Sequence, residues 1–260
     1  MLGDKNVSQL SRADCRSLIA ACHTKGLSRK SIENIGRTVS SILSQAVEDD
    51  VIPANPAFRL GRYYRTGKNQ VESEIRPLTR DEVVVLLNAA RQHAPGEYPL
   101  FLCALRTGMR LGELLALQWG DVDFQGRFIE VRRNLVGGRL TTPKSGRTRR
   151  VDMSAQLGNT LKTLLVTRKA ETLRNGWGRV PDWVFCNENG GPLDGDNLRH
   201  RVFYKLLTSA GLRRVRFHDL RHTFASLLLQ QGESPAYVKD QLGHSSHTWR
   251  TAPFRSPSSR

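Results

Sequence analysis

No stretch of this chain approaches the roughly 18 consecutive apolar residues that cross a bilayer. Its opening, Met1-Leu2-Gly3-Asp4-Lys5-Asn6, is polar, with no apolar run of signal-peptide type behind it. Neither a polybasic amphipathic helix nor a lipidation motif directs it to a membrane surface. Cysteine is scarce: Cys15, Cys22, Cys103 and Cys186 are scattered, without the close pairs of a zinc site or a secreted disulfide framework. Cys103 and Cys186 lie in apolar runs and read as buried thiols. These absences together predict a reduced, cytoplasmic protein. Zincin, Walker-loop and dinucleotide fingerprints are missing, and so is any internal repeat.

Acidic residues are also too few to balance the basic ones. Against 40 Lys and Arg stand 24 Asp and Glu, a net charge of +16. Such an excess concentrates polyanions around the surface and makes nucleic acid the leading partner.

Two regions have distinct patterning. Ile32, Ile35, Val39, Ile42, Leu43, Ala46 and Val47 recur at helical spacing. Gly26 and Ser28 punctuate the start of this helix, and Pro53 and Pro56 forbid its continuation. A shorter helix is expected after Ser11. Residues 1–62 thus read as a small helical domain, with Arg29 and Lys30 as candidate DNA contacts. From Arg62 to Arg76 the chain is polar and aperiodic, which places a linker at residues 63–77.

A second domain is expected over 78–246. Thr79 and Glu82 have the spacing of a capping box. Apolar helices follow around Leu100–Leu105 and Leu111–Leu117, separated by a turn at Thr107-Gly108. Phe128, Ile129 and Val131 are strand-like, Gly137-Gly138 supplies a turn, and Arg147–Met153 suits a third strand. Helices resume near Ala155 and run, with interruptions at Pro181 and Gly190-Gly191, to about Gln241. The fold class expected is mainly α, with one small three-stranded antiparallel sheet. Residues 247–260, with Pro253 and Pro257 and no acidic residue, read as a disordered tail.

Three basic clusters carry candidate chemistry. In Thr107-Gly108-Met109-Arg110-Leu111-Gly112-Glu113-Leu114, Arg110 and Glu113 meet at a helix start, where a carboxylate can fix a guanidinium. In Thr142-Pro143-Lys144-Ser145-Gly146-Arg147, Lys144 stands on a turn between strands and can reach into a groove. In His218-Asp219-Leu220-Arg221-His222, helical spacing puts His218, Arg221 and His222 on one face. Any one of these suits a surface ion pair, a solvated turn or a structural histidine. Together they suit a phosphodiester: arginine forks hold its free oxygens, and His or Lys moves protons.

The strings TGMRLGEL, TTPKSGRTRRVDM, HDLRHTFASLLLQQGES and YVKDQLGHSS, in that order and spacing, resemble the motifs of the tyrosine recombinases, or phage integrases. The resemblance runs from about Leu2 to Ser246. It implies that Arg110 and Arg221 clamp the scissile phosphate of double-stranded DNA and that Glu113 supports Arg110. Lys144 would protonate the leaving 5′ oxygen, His218 would assist proton transfer, and His244 would hydrogen-bond the phosphate. It implies no metal, no nucleotide cofactor and no small-molecule substrate. The helical first domain resembles the family's core-binding domain, which with the catalytic domain forms a clamp around duplex DNA.

Two departures stand out. Leu2-Gly3 already resembles the loop that follows the first helix of the family's core-binding domain. The nucleophilic tyrosine is expected about nine or ten residues past His244, where Pro253 and Phe254 stand; Tyr63, Tyr64, Tyr98, Tyr204 and Tyr237 all precede His244. Tyr237 reads as a buried structural residue, and the change of style after Ser246 as a shift of reading frame. The expectation is an integrase by descent with its phosphate site and no nucleophile. The alternative is a non-enzymatic DNA-binding remnant that represses or competes with a full-length relative. A helix-turn-helix regulator would gather its basic residues on one recognition helix, whereas here they are dispersed.

Overall fold

The computed structural model describes residues 5–64, 76–143, 146 and 148–243. Most of the expected linker (65–75), Lys144, His244 and the expected tail (247–260) lie outside the described residues. The chain divides into two units, Met1–Glu74 and Ile75–Arg260.

In the first unit, Ser11 opens α1 (Arg12–Thr24) with a capping box completed by Asp14, and Ser28 caps α2 (Arg29–Glu48). Cys15, Ile19 and Cys22 of α1 and Ile32 and Leu43 of α2 are buried, together with Ile52, Ala57 and Leu60 from the segment that follows. The ring of Tyr64 lies so close over Gly36 that a Cβ there would come within 2.4 Å of its hydroxyl. Ile42, expected on the apolar stripe, is instead 60 % exposed. Leu43 takes the core position, and a one-residue step of about 100° turns Ile42 away. Arg29 and Lys30 are exposed on the first turn of α2.

The second unit is built around α4. After α3 (Arg80–His93), whose Thr79–Glu82 capping box forms as expected, α4 (Tyr98–Thr107) buries Leu100 to Leu105 without a break. A helix apolar on all sides belongs inside a core, and this one delivers the chain to the short helix α5 (Leu111–Leu115).

Strands β1 (Val122–Asp123), β2 (Phe128–Val131), β3 (Asn134–Val136), β4 (Arg139–Thr141) and β5 (Arg149–Asp152) come next. The three-stranded antiparallel sheet has the order β1–β2–β5, while β3 and β4 form a hairpin of their own. Gly137 and Gly138 make its turn, both with positive φ (54° and 75°), as a two-residue hairpin turn requires. The sheet's other edge, β1, escaped the sequence reading because two residues are too few to show alternation.

Helix α6 (Ala155–Asn175) is followed by α7 (Gly195–Asn197), a π-helical stretch (Leu198–Phe203) and α8 (Tyr204–Ser209). Cys186 is only partly buried, unlike Cys15, Cys22 and Cys103, because it lies in the irregular segment between α6 and α7 rather than in a core helix. Then come α9 (Asp219–Gln230), packed on α4, and α10 (Pro235–Leu242), packed on β5 and α9. Helix α10 covers the edge strand β5. The Asp152 N–H donates to Gln241 Oε1 at 2.9 Å, and the Tyr237 hydroxyl donates to the Asp152 carboxylate at 2.6 Å. An edge N–H that would face solvent is thereby satisfied. Among the described residues, no helix is long and apolar enough to cross a membrane.

Candidate active site

Arg110 is the extended residue that caps α5, and Glu113 stands in the first turn. The Glu113 side chain is fully buried, and its two oxygens are shared evenly. Oε1 accepts from Arg110 Nη1 at 2.9 Å and Arg149 Nη1 at 2.9 Å; Oε2 accepts from the Arg110 backbone N–H at 2.8 Å and Arg149 Nη2 at 2.7 Å. Burial pushes the Glu113 pKa up. The bonds and charge of Arg149, joined by those of Arg110, outweigh it and hold the carboxyl below its usual range. Glu113 is therefore ionised at neutral pH.

Arg221, on the first turn of α9, is 4 % exposed. Its fork spans two helix ends: Nη1 donates to the Gly108 carbonyl at 2.7 Å, where α4 stops, and Nη2 to the Leu242 carbonyl, where α10 stops. Carbonyls in a last turn lack helical partners and carry the negative end of the helix dipole, so a guanidinium suits both. Burial, then repulsion from Arg110, lowers the Arg221 pKa to about 9, which leaves it charged at pH 7. The fork expected to be free for a phosphate is thus half committed to carbonyls, with one N–H on each Nη still unassigned.

His218 precedes α9 as its cap residue, and its ring meets that of His222 edge-on at 5.2 Å. Partial desolvation, then the positive neighbours His222, Arg221 and Arg110, pushes its pKa down to about 4. His218 keeps much of its surface exposed, and its imidazole is neutral at pH 7 and able to take a proton. Asp219 beside it holds Arg216 at 2.9 Å. An open cleft of about 430 Å³, lined by Met109, Leu111, Arg199, His200, Arg216 and His218 among others, borders these groups.

Of the residues singled out in the sequence, Arg110, Glu113, His218 and Arg221 belong to one electrostatic cluster. Lys144 and His244 lie outside the described residues, and Arg29 and Lys30 belong to the other unit. Tyr237, expected to be buried, is only partly so; burial and the bond to Asp152 raise its pKa, so it is neutral and tied. It sits on the side of α10 that meets the rim of the sheet, away from the helix's core residues Val238 and Leu242. Arg149 was missed. Its signal was available: strand alternation places Arg149 with Val151, facing inward, while Arg150 and Asp152 are exposed. An arginine on the apolar face of a strand requires a buried partner. With Arg149 counted, two guanidiniums share the Glu113 carboxylate, and a third, Arg221, feels its charge.

Residues 76–250 match the phage integrase family. The tyrosine recombinase XerC-like protein of Caldanaerobacter subterraneus subsp. tengcongensis is 27 % identical, over 86 % of this chain and 61 % of its own. The ICEBs1 integrase of Bacillus subtilis is 31 % identical, over 85 % of this chain and 60 % of its own. This chain thus spans less than two thirds of the length of these relatives. In fold it is similar to the Tn1549 transposon integrase, solved in complex with circular intermediate DNA. The TM-score is 0.75 at 23 % identity, covering 95 % of this chain and 81 % of that one. The family match and the helical architecture around a small antiparallel sheet agree: the chain belongs to the phage integrase family of tyrosine recombinases.

Proposed function

We propose that this chain binds double-stranded DNA and holds one backbone phosphate in a cationic cradle, and that it does not cleave the strand. The supporting observation is that Arg110 and Arg149 share the buried carboxylate of Glu113, with Arg221 under the electrostatic influence of all three. In this reading Arg110 and Arg221 are the clamp and Glu113 the support of Arg110. Neutral His218 takes part in proton transfer, Lys144 is the acid for the leaving oxygen, and His244 is a further donor to the phosphate. Residues 1–62 serve as the core-binding half of a DNA clamp, 63–77 as its linker, 78–246 as the catalytic-type half and 247–260 as a tail outside the family pattern. A cytoplasmic location, alongside the DNA, belongs to the same reading.

Rejoining by a tyrosine recombinase draws on a covalent bond to the enzyme's own tyrosine. Pro253 and Phe254 stand where that tyrosine is expected, and arginines and histidines can stabilise a transition state only for a nucleophile that is present. The chain then acts as an occupant of its site, competing with full-length relatives. Self-association on DNA is weak, because residues 245–260 offer only Trp249 and Phe254 as apolar anchors.

The deciding experiment uses a nicked suicide substrate carrying the attachment site, found by selection from random duplexes. No protein–DNA adduct is expected on a denaturing gel. A control with Ser246–Arg260 replaced by a tyrosine-bearing helix from a relative should form one. An adduct from the unaltered chain would refute the proposal, and no adduct from the control would refute the cradle. Sedimentation on paired sites should give monomers or weak dimers; a stable tetramer would contradict the assembly part.

A further inference from the structure

We propose that Arg149 is a positioning residue that sets the guanidinium of Arg110, acting through the shared carboxylate of Glu113. The proposal rests on the cradle reading only for what Arg110 then holds; the placement of Arg110 stands on geometry.

Each Glu113 oxygen accepts one bond from Arg149 and one from Arg110, with all four between 2.7 and 2.9 Å. The carboxylate has no exposed surface, so water cannot replace a lost partner. The plane of the Arg149 fork therefore fixes the plane of the carboxylate, and the carboxylate fixes both the backbone and the side chain of Arg110. Arg149 is itself fixed at its stem. Its Nε donates to the Gln241 carbonyl at 3.1 Å, a last-turn acceptor of α10. Its Cδ lies where a side chain on Gly243 would be: a Cβ at 243 would come within 2.6 Å of that carbon. Gly243 has φ +64°, so the end of α10 both demands glycine and uses the freed space to seat Arg149. One guanidinium thus joins β5, α5 and α10.

A purely structural brace would use the same bonds, so the test must read Arg110 itself. The full chain is labelled with 15N-arginine, and the Arg110 Nε–Hε signal is assigned by its loss in Arg110→Lys. In Arg149→Gln this signal should shift and broaden, and its response to inorganic phosphate should weaken by about tenfold, as expected for the loss of a charge-assisted fork. Arg149→Lys keeps the charge but supplies a single point donor. It should give an intermediate spectrum and weaken the phosphate response by about threefold. If Arg149→Gln does not fold, Arg149→Lys decides by the same readout. An unchanged Arg110 signal in a folded variant, with only a lower melting temperature, would overturn the proposal and leave Arg149 a brace. Phosphate without effect on Arg110 in the unaltered chain would refute the cradle instead, while the phosphate-free signal still decides the positioning.

Discussion

Arg29 and Lys30 stand exposed on the first turn of α2, with Glu33 as the nearest carboxylate to Lys30 at 3.8 Å. Arg110, Arg149 and Arg221, in the other unit, are drawn inward: two of them share Glu113, and the third is held by two helix-end carbonyls. The first pair is solvated, screened and free to change rotamer, and a cation at such a place is worth little to the fold. Arg149 and Arg221 of the second set have given up nearly all their water and Arg110 most of it, and each depends on its partners for its position. Cations of the first kind supply attraction for any polyanion; cations of the second kind define a point.

Salt should produce the largest effect. If a DNA clamp engages about six to ten phosphates, affinity falls by roughly three to five decades between 50 and 200 mM salt. Titration of a labelled duplex at several salt concentrations measures this. A flat response would show that no phosphate-tracking surface exists, leaving at most the cradle.

Removing the anchor of the inward set comes next. Glu113→Ala leaves Arg149 and Arg110 without their carboxylate, and breaking a buried pair of this kind costs about 3–5 kcal/mol. Urea unfolding of the variant should show it. A loss below about 1 kcal/mol would put this pair in the class of exposed ion pairs and undo the contrast. Acid acts on the same group. The folded-state pKa of Glu113 lies below its unfolded value, so its contribution is complete above a pH of about 4.3 and is lost as pH falls through the lower, folded value.

His218 also costs stability as pH falls, in a higher pH window. Its folded pKa, about 4, is below the unfolded value of about 6.5. The unfolded chain therefore takes up the proton first, and stability declines as pH falls from about 6.5 towards 4. Solvent around the ring keeps that slope shallow. NMR titration should place the His218 midpoint below 6 in the free chain, and a bound phosphate should raise it by offsetting Arg110 and Arg221. A midpoint near 6.5 without DNA would mean that the ring is not under the influence of the arginines.

Much of the site was legible because its clusters are local. Arg110 with Glu113, and His218 with Arg221, lie within single helical turns, where spacing reports proximity. Arg149 was not legible as a partner, since the bond to Glu113 joins positions far apart in sequence and only tertiary packing brings them together. The commitments of Arg221 to Gly108 and Leu242 escaped for the same reason. In the fold, capping residues and prolines delimited α1, α2 and α3 well. A strand over Arg147–Met153 was legible and forms as β5. Its pairing with β2, past an independent hairpin, joins distant positions and was not legible, and β1 had no pattern to read. The stripe of α2 was one residue too wide at Ile42, which the step of about 100° from Leu43 turns towards solvent.

The smallest effects should come from the exposed pair. Arg29→Ala and Lys30→Ala each remove a cation that no buried group relies on, so neither should change the unfolding midpoint beyond the roughly 0.5 kcal/mol typical of surface positions. If each meets one phosphate, each lowers the slope of log affinity against log salt by about 1 and weakens all duplex sequences alike. Arg110→Ala should behave differently. It removes a fork aimed at one phosphate, so its cost should be concentrated on that phosphate and should largely vanish when a neutral methylphosphonate replaces it. Lys144→Ala should scarcely alter affinity, since an acid matters only as a leaving group departs. The four variants, titrated on one duplex with and without the methylphosphonate, measure both behaviours together. Equal losses for all four, indifferent to the neutral linkage, would make Arg110 one more surface charge, and the distinction between the exposed and the inward cations would fail.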